Sequence, residues 1–224
     1  MVLNAIQTST VQEAVYDELY KAIVSGKISP GERITMRQLA KDLGVSVMPV
    51  REALRRLEAR SFITIQSNRQ ILVNELSPEH FRQIFEARLL LEGHAAKKAC
   101  KRRSDDSLKE LKASLKQMKE NQNDNVIMEE NRRFHTTIYR EANLPVFLEI
   151  IDSLWERVSP YFYIIRKDEA YWVERAYLEN HEGMLEGMQQ RKPKVVCHWL
   201  KNDLSEAADV IYSMLDKERR ARKV

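Results

Sequence analysis

Apolar residues recur at Val11, Val15, Leu19, Ala22 and Ile23, three or four positions apart, and predict an amphipathic helix over Val11–Ser25. Gly26 stands where that helix should stop, followed by the turn formers Lys27-Ile28-Ser29-Pro30-Gly31. A second helix is predicted over Thr35–Leu43 and ends at Gly44, and Ser46 can cap a third that runs through Val50, Ala53, Leu54 and Leu57 to about Arg60. Leu39, Leu43, Val45, Val50 and Ala53 are apolar where these two short helices must touch, Ala40 is small where they cross, and Pro49 falls in a first turn, where its missing N–H costs little. After Arg60 the period shortens to that of a strand. Phe62-Ile63-Thr64-Ile65 and Ile71-Leu72-Val73 flank the polar Gln66-Ser67-Asn68-Arg69-Gln70, and a hairpin in this position is a wing.

Beyond the short linker Asn74-Glu75-Leu76-Ser77-Pro78 only helical periods occur. They predict helices over 78–102, 105–123, 125–141, 144–166, 168–190 and 193–217, with Leu148, Ile151, Leu154, Trp155 and Val158 among the core-facing positions. The expected architecture is mainly α. A winged helix-turn-helix of three helices and a β-hairpin occupies 1–75, and an all-α six-helix bundle occupies 76–224.

Composition narrows the classes. With 43% hydrophobic and 31% charged residues the 224-residue chain can bury a core in each part, and 6 Gly with 6 Pro are too few for an all-β protein rich in tight turns. Cys100 and Cys197 fit no paired or CxxC framework, the first ten residues carry no apolar leader segment, and no run of 18 apolar residues occurs; a reduced, cytoplasmic protein without a membrane partner is expected. Net charge is only +4, but from Arg33 to Arg69 eight basic residues face three acidic ones, a surplus of five that exceeds the whole chain's. Such a local excess is the footprint of a phosphate-facing surface. The basic run Lys217–Lys223 lacks apolar spacing and reads as a frayed, solvated tail.

The segments Ser25-Gly26-Lys27-Ile28-Ser29-Pro30-Gly31-Glu32-Arg33, Leu39-Ala40, Leu43-Gly44-Val45-Ser46, Pro49-Val50-Arg51-Glu52-Ala53-Leu54 and Arg56-Leu57-Glu58 resemble the N-terminal domain of the GntR superfamily over about residues 11–75. The resemblance implies DNA contacts from Arg37, Ser46, Pro49 and Arg51, with Met48 and Arg55 beside them and Arg69 at the wing tip. A guanidinium fork suits guanine O6 and N7, and a hydroxyl at a helix N-terminus suits a phosphate. Two features depart from the family: Val47 replaces the usual Arg after the Ser, and Ser67, Asn68 and Gln70 surround Arg69 in place of glycines.

Phe85-Glu86-Ala87-Arg88 with Leu91-Glu92, Asn131-Arg132-Arg133-Phe134-His135, and Glu179-Asn180-His181 with Met184-Leu185 resemble the FCD ligand-binding domain of the FadR branch of that superfamily, over about 78–215. The resemblance implies a central cavity in which a divalent metal helps to hold a small carboxylate effector. Asn131, His135, His181 and Asp203 match the metal positions, and Arg88, Asn131, His135 and His181 the effector-facing ones. Two imidazoles and two oxygen donors suit Zn²⁺, Ni²⁺ or Mn²⁺. His198 lies about 140° round the helix from Asp203 and is expected to point elsewhere, and His80 and His94 match no ligand position. The implied protein is a homodimeric transcriptional regulator of a double-stranded operator, with affinity set by a small-molecule effector of the organic-acid class. An effector-independent architectural DNA binder is the first alternative, and a metal-dependent enzyme a weaker one, since no HExxH, nucleophile elbow or Gly-rich phosphate loop occurs.

Overall fold

A computed structural model describes residues 11–67, 70–75, 77–165 and 177–221. Its contacts divide the chain into two compact units, one of residues up to Leu76 with Ser159–Tyr163, the other of Ser77–Val158 with Ile164 onward.

The N-terminal unit runs α1 (Val11–Val24), β1 (Arg33–Thr35), α2 (Met36–Asp42), α3 (Val47–Ala59), β2 (Ile63–Ile65) and β3 (Gln70–Val73). Val15, Leu19 and Ile23 of α1, Leu39 of α2, Val50, Leu54 and Leu57 of α3, and Ile63, Ile71 and Val73 of the wing close one apolar core. The turn between α2 and α3 needs a left-handed residue, which Gly44 supplies at φ 64°. Thr35 caps α2, accepting from the Gln38 N–H at 3.2 Å. The strand β1 is not predicted by the hydrophobic pattern. Arg33–Thr35 pairs antiparallel with β3, so the wing is a three-stranded sheet in the order β1-β3-β2, and the second helix starts one residue later than expected. Three residues between a Pro-Gly turn and a helix carry too short a period to register. Glu58 of α3 accepts the Ile65 N–H at 2.8 Å and so ties the wing to that helix.

The described part of the second unit is built of helices: α4 (Pro78–Arg102), α5 (Asp105–Glu120), α6 (Asp124–Arg140), α7 (Pro145–Ile165, of which Ser159–Tyr163 cluster with the first unit), α8 (Tyr177–Gln189) and α9 (Pro193–Ala221). Ser77, Ser104 and Asn123 cap α4, α5 and α6 through side-chain oxygens. Ile151, Trp155 and Val158 of α7 are buried, while Leu148 and Leu154 are half-buried. The basic stretch expected to fray after residue 217 instead continues α9 to Ala221, and the part of the predicted helix 168–190 that precedes Tyr177 lies outside the described residues. Cys100 is buried and Cys197 half-buried, both as free thiols.

Glycine sets how closely α8 approaches α9. A Cβ on Gly183 would stand 2.3 Å from the Trp199 indole, and one on Gly187 would stand 2.7 Å from Val196 Cγ2. This close packing holds His181 of α8 beside Asp203 of α9. Arginines fasten the helix ends nearby: Arg103 donates to the Met188 carbonyl at 3.0 Å and Arg191 to the Lys101 carbonyl at 2.7 Å, supplying partners that terminal carbonyls lack within their own helix.

Candidate functional site

The N-terminal unit carries exposed arginines on both helices of its helix-turn-helix. Arg37 of α2 and Arg51 of α3 are exposed, and neither forms an ion pair among the described residues. Arg55 is also exposed, but its Nη1 lies 3.1 Å from Glu52 Oε1, a surface pair that is weak and easily exchanged for a phosphate. Ser46 is the N-cap of α3, yet its hydroxyl makes no capping bond, and the first turn of α3 carries no acidic residue. The orphan N–H groups and positive dipole end of α3 therefore meet solvent with an uncommitted hydroxyl beside them, an arrangement suited to an anion. Met48 is 60% exposed and Pro49 half-buried. Arg69 lies outside the described residues. Two of the eight basic residues serve packing as well as charge. The Arg56 guanidinium sits 4.0 Å over the Tyr16 ring, and Arg60 donates to the Tyr16 hydroxyl.

In the helical unit, polar side chains from four helices meet inside the apolar core. His135 from α6, His181 from α8 and Asp203 from α9 present ligand atoms within 4.8 Å of one another. His135 Nε2 lies 3.2 Å from Asp203 Oδ2, and His181 Nδ1 lies 3.4 Å from Asp203 Oδ1. Arg88 and Glu92, one turn apart on α4, are paired: Arg88 Nε donates to Glu92 Oε1 at 2.6 Å and Nη2 to Oε2 at 3.4 Å. The Arg88 guanidinium also stacks 4.5 Å over the ring of Trp155 on α7, which in turn lies 5.4 Å from the His135 ring. Asn131, one turn before His135, is half-buried and makes no hydrogen bond among the described residues. His198 is exposed and shares a 3.4 Å contact with Asn202, away from the cluster. His80 is half-buried, and His94 is exposed beside Phe147.

Hydrogen-bond directions assign the protons. His181 Nδ1 is 2.7 Å from the Tyr177 carbonyl, which only accepts, so Nδ1 carries the hydrogen and Nε2 a lone pair. The Tyr139 hydroxyl donates to Glu92 Oε2 at 2.5 Å, and with its one hydrogen so placed it can only accept from His135 Nδ1 at 3.1 Å. His135 therefore also presents a lone pair at Nε2. Among the described residues both Nε2 atoms are buried without a hydrogen-bond partner, and the 3.2 Å approach of His135 Nε2 to Asp203 does not have hydrogen-bond geometry. Burial lowers the His181 pKa below the ordinary histidine value, against the pull of Asp203, so the ring is neutral near pH 7. The Asp203 carboxyl is pushed up by burial and drawn down by His181 and His135 whenever either ring carries its second proton, the net direction being downward. Two imidazoles, each with an unpaired Nε2, and a carboxylate thus come together, a donor set that fits a divalent cation.

Glu92, Tyr139 and Trp155 are not among the site residues expected from sequence. The spacing that links them is visible there, since Arg88 to Glu92 and His135 to Tyr139 are each four apart and share a helix face, but nothing in that spacing says that the faces point inward.

Comparison with known proteins decides the class. The FCD domain family model matches residues 83–206, and the family model for bacterial regulatory proteins, gntR family, matches residues 11–73. The chain belongs to the FCD branch of the GntR family. It is 26% identical over 206 residues to the HTH-type transcriptional regulator McbR of Escherichia coli, covering 91% of this chain and 93% of that protein. The solved structure of E. coli McbR/YncC superposes with a TM-score of 0.82 at 25% identity, covering 93% of this chain and all of that one. The gluconate operon transcriptional repressor of Bacillus subtilis is 24% identical over 204 residues, 87% of this chain and 82% of that repressor. This GntR-family protein is accordingly a DNA-binding transcriptional regulator rather than an enzyme, and its mainly helical, two-part architecture is that of the family. No described helix is long and apolar enough to cross a membrane.

Proposed function

We propose that this GntR-family regulator works in the cytoplasm as a homodimer, with residues 1–75 reading one operator half-site and residues 76–224 holding the effector and the dimer contact. One winged helix covers only a few base pairs, whereas two related by a two-fold axis read a pseudo-palindrome on one DNA face. Arg37, Ser46, Met48, Pro49, Arg51, Arg55 and Arg69 form the reading surface. The effector is a small organic acid held together with a divalent cation such as Zn²⁺, Ni²⁺ or Mn²⁺.

The observation that carries this reading is that His135, His181 and Asp203 bring ligand atoms within 4.8 Å of one another, while the Nε2 atoms of both histidines are buried with no hydrogen-bond partner among the described residues. Three protein ligands leave a further position for an oxygen of an incoming ligand, with Asn131 one turn away on α6 as a candidate polar contact. Charge favours an anion there. Arg88 contributes one positive charge and Glu92 and Asp203 one negative each, so the cluster carries −1 with both imidazoles neutral and +1 once a divalent ion is bound. Arg88 Nη1 makes no hydrogen bond among the described residues and can meet a carboxylate. Relatives named as gluconate operon repressors make gluconate a first acid to test.

Elemental analysis of untagged protein, with melts in chelator and in added ion, tests the cation. The expected result is stoichiometric metal and a melting temperature that rises with free ion. Operator release is then screened against small organic acids in the metal-loaded protein. A protein with no bound metal, and a melt unmoved by chelator or ion, overturns the cation; operator binding indifferent to every acid overturns the effector class.

A further inference from the structure

We propose that Tyr139 and Glu92 are positioning residues for the cation site, acting in series to fix which nitrogen of His135 faces it. The proposal rests on the cation reading above and concerns residues that touch neither the ion nor an effector.

A neutral imidazole has two tautomers of similar energy, and only the one with its hydrogen on Nδ1 offers Nε2 to a metal. His181 has the ordinary solution, a backbone carbonyl at 2.7 Å from Nδ1 that accepts and never donates. His135 has a hydroxyl instead, and a hydroxyl alone fixes nothing, because it can either donate or accept. Glu92 removes that freedom. It is fully buried and faces the Arg88 guanidinium as a carboxylate, so it accepts and cannot donate. Its Oε2 takes the single Tyr139 hydrogen at 2.5 Å, which leaves Tyr139 only lone pairs to offer His135 Nδ1 at 3.1 Å. Direction therefore passes from Arg88 through Glu92 and Tyr139 to His135. Without the relay, the near carboxylate would select the opposite form. Asp203 Oδ2 at 3.2 Å from His135 Nε2 would draw the hydrogen to Nε2 and block the lone pair.

Two measurements on the full-length protein test this. Imidazole ¹⁵N spectra of the metal-free protein should show both His135 and His181 protonated at Nδ1. Tyr139→Phe, which keeps the ring and loses the hydroxyl, should move His135 toward the Nε2–H form and leave His181 unchanged. Zinc titration by calorimetry should show affinity about 10–100-fold weaker in Tyr139→Phe, the range typical of lost outer-shell partners. Glu92→Gln, whose amide oxygen still accepts, should fall between the two and guards against a folding defect in either variant. A His135 pattern unmoved by Tyr139→Phe overturns the relay whatever the metal does. A tautomer that shifts in a protein that takes no zinc overturns the cation reading and the role proposed here, and leaves only the hydrogen-bond assignment.

Discussion

His135 Nε2 and Asp203 Oδ2 stand 3.2 Å apart with no hydrogen bond between them, because the ring hydrogen is on the far side, at Tyr139. Two acceptors facing each other in a buried site repel, so without a cation this contact is destabilising. Asp203→Asn should reverse it, since the amide can donate to His135. The variant is expected to raise metal-free stability by about 1 kcal/mol, the net worth of one hydrogen bond, and to lose the stabilisation that added zinc confers. Chemical denaturation with and without zinc reads both effects. An Asp203→Asn variant that still gains stability from zinc would place the cation elsewhere.

The buried His181 makes a signed prediction for pH. Its folded pKa lies below the unfolded value of 6.5, with burial the main cause. Above that value neither state takes up a proton and stability is level. Below it the unfolded chain binds a proton that the folded one refuses, so stability falls as pH drops, by up to about 1.4 kcal/mol per pH unit until the folded pKa is reached. Asp203, whose carboxyl is held low, adds a further loss only in stronger acid. Metal-free melting temperatures should therefore be flat from about pH 8 to 7 and decline below the unfolded histidine value, and His181→Asn should remove the first part of that decline.

The sequence was most legible where one residue type answers one geometric need. Gly44, Pro49 and the apolar spacing of α2 and α3 specify the helix pair, and six helical periods carried the second unit to within a few residues of the observed ends where it is described. The cluster was legible only in part. His135, His181 and Asp203 could be matched one by one, whereas the pairing of Arg88 with Glu92 is a contact between two residues of one inward face, and Tyr139 reaches Glu92 across 47 residues of chain. A period gives the faces of a helix, but which partner each face meets depends on packing such as the Gly183 approach to Trp199.

That approach can be tested directly. Gly183→Ala would place a methyl 2.3 Å from the Trp199 indole, a contact the packed helices must move to relieve. Alanine gains about 1 kcal/mol over glycine in a helix, but overpacking of this kind costs about 1–3 kcal/mol, so net destabilisation and weaker zinc binding are expected. A Cβ at Gly93 on α4 meets nothing within 4 Å among the described residues, so Gly93→Ala should be neutral or stabilising. Equal behaviour of the two variants in denaturation would show that the glycine contact does not set the α8–α9 spacing.

On the DNA-reading face, Arg51→Ala should weaken operator binding by about 1–3 kcal/mol without changing the melting temperature. Arg56→Ala removes a guanidinium that covers Tyr16, and so should lower stability as well as affinity. Log affinity plotted against log salt should fall steeply for the wild type and less steeply in variants that lose a phosphate contact. An Arg51→Ala protein with unchanged affinity at physiological salt would remove that residue from the reading surface.

The dimer contact is expected on α4 and α7. Leu90 is 76% exposed, Val146 65% and Ile150 44%, and the His94 ring lies 5.2 Å from Phe147, which brings the exposed sides of the two helices together. Single exposed apolar residues are ordinary, but several on adjoining helices form the kind of patch that a partner surface covers. A two-fold contact repeats each residue on both sides, so one substitution acts twice. Leu90→Glu or Ile150→Glu would then set like charges close together across the axis and strip apolar area from both subunits. On the proposed dimer, either variant should sediment as a smaller species than the wild type at the same concentration. Operator affinity should fall far more than non-specific DNA binding, because each reading head still meets phosphate but the two half-sites are no longer read together. The metal-free ¹⁵N pattern of His135 and His181 should be unchanged, since the cluster lies within one subunit. A Leu90→Glu, Ile150→Glu double variant that remains dimeric would move the interface off this face.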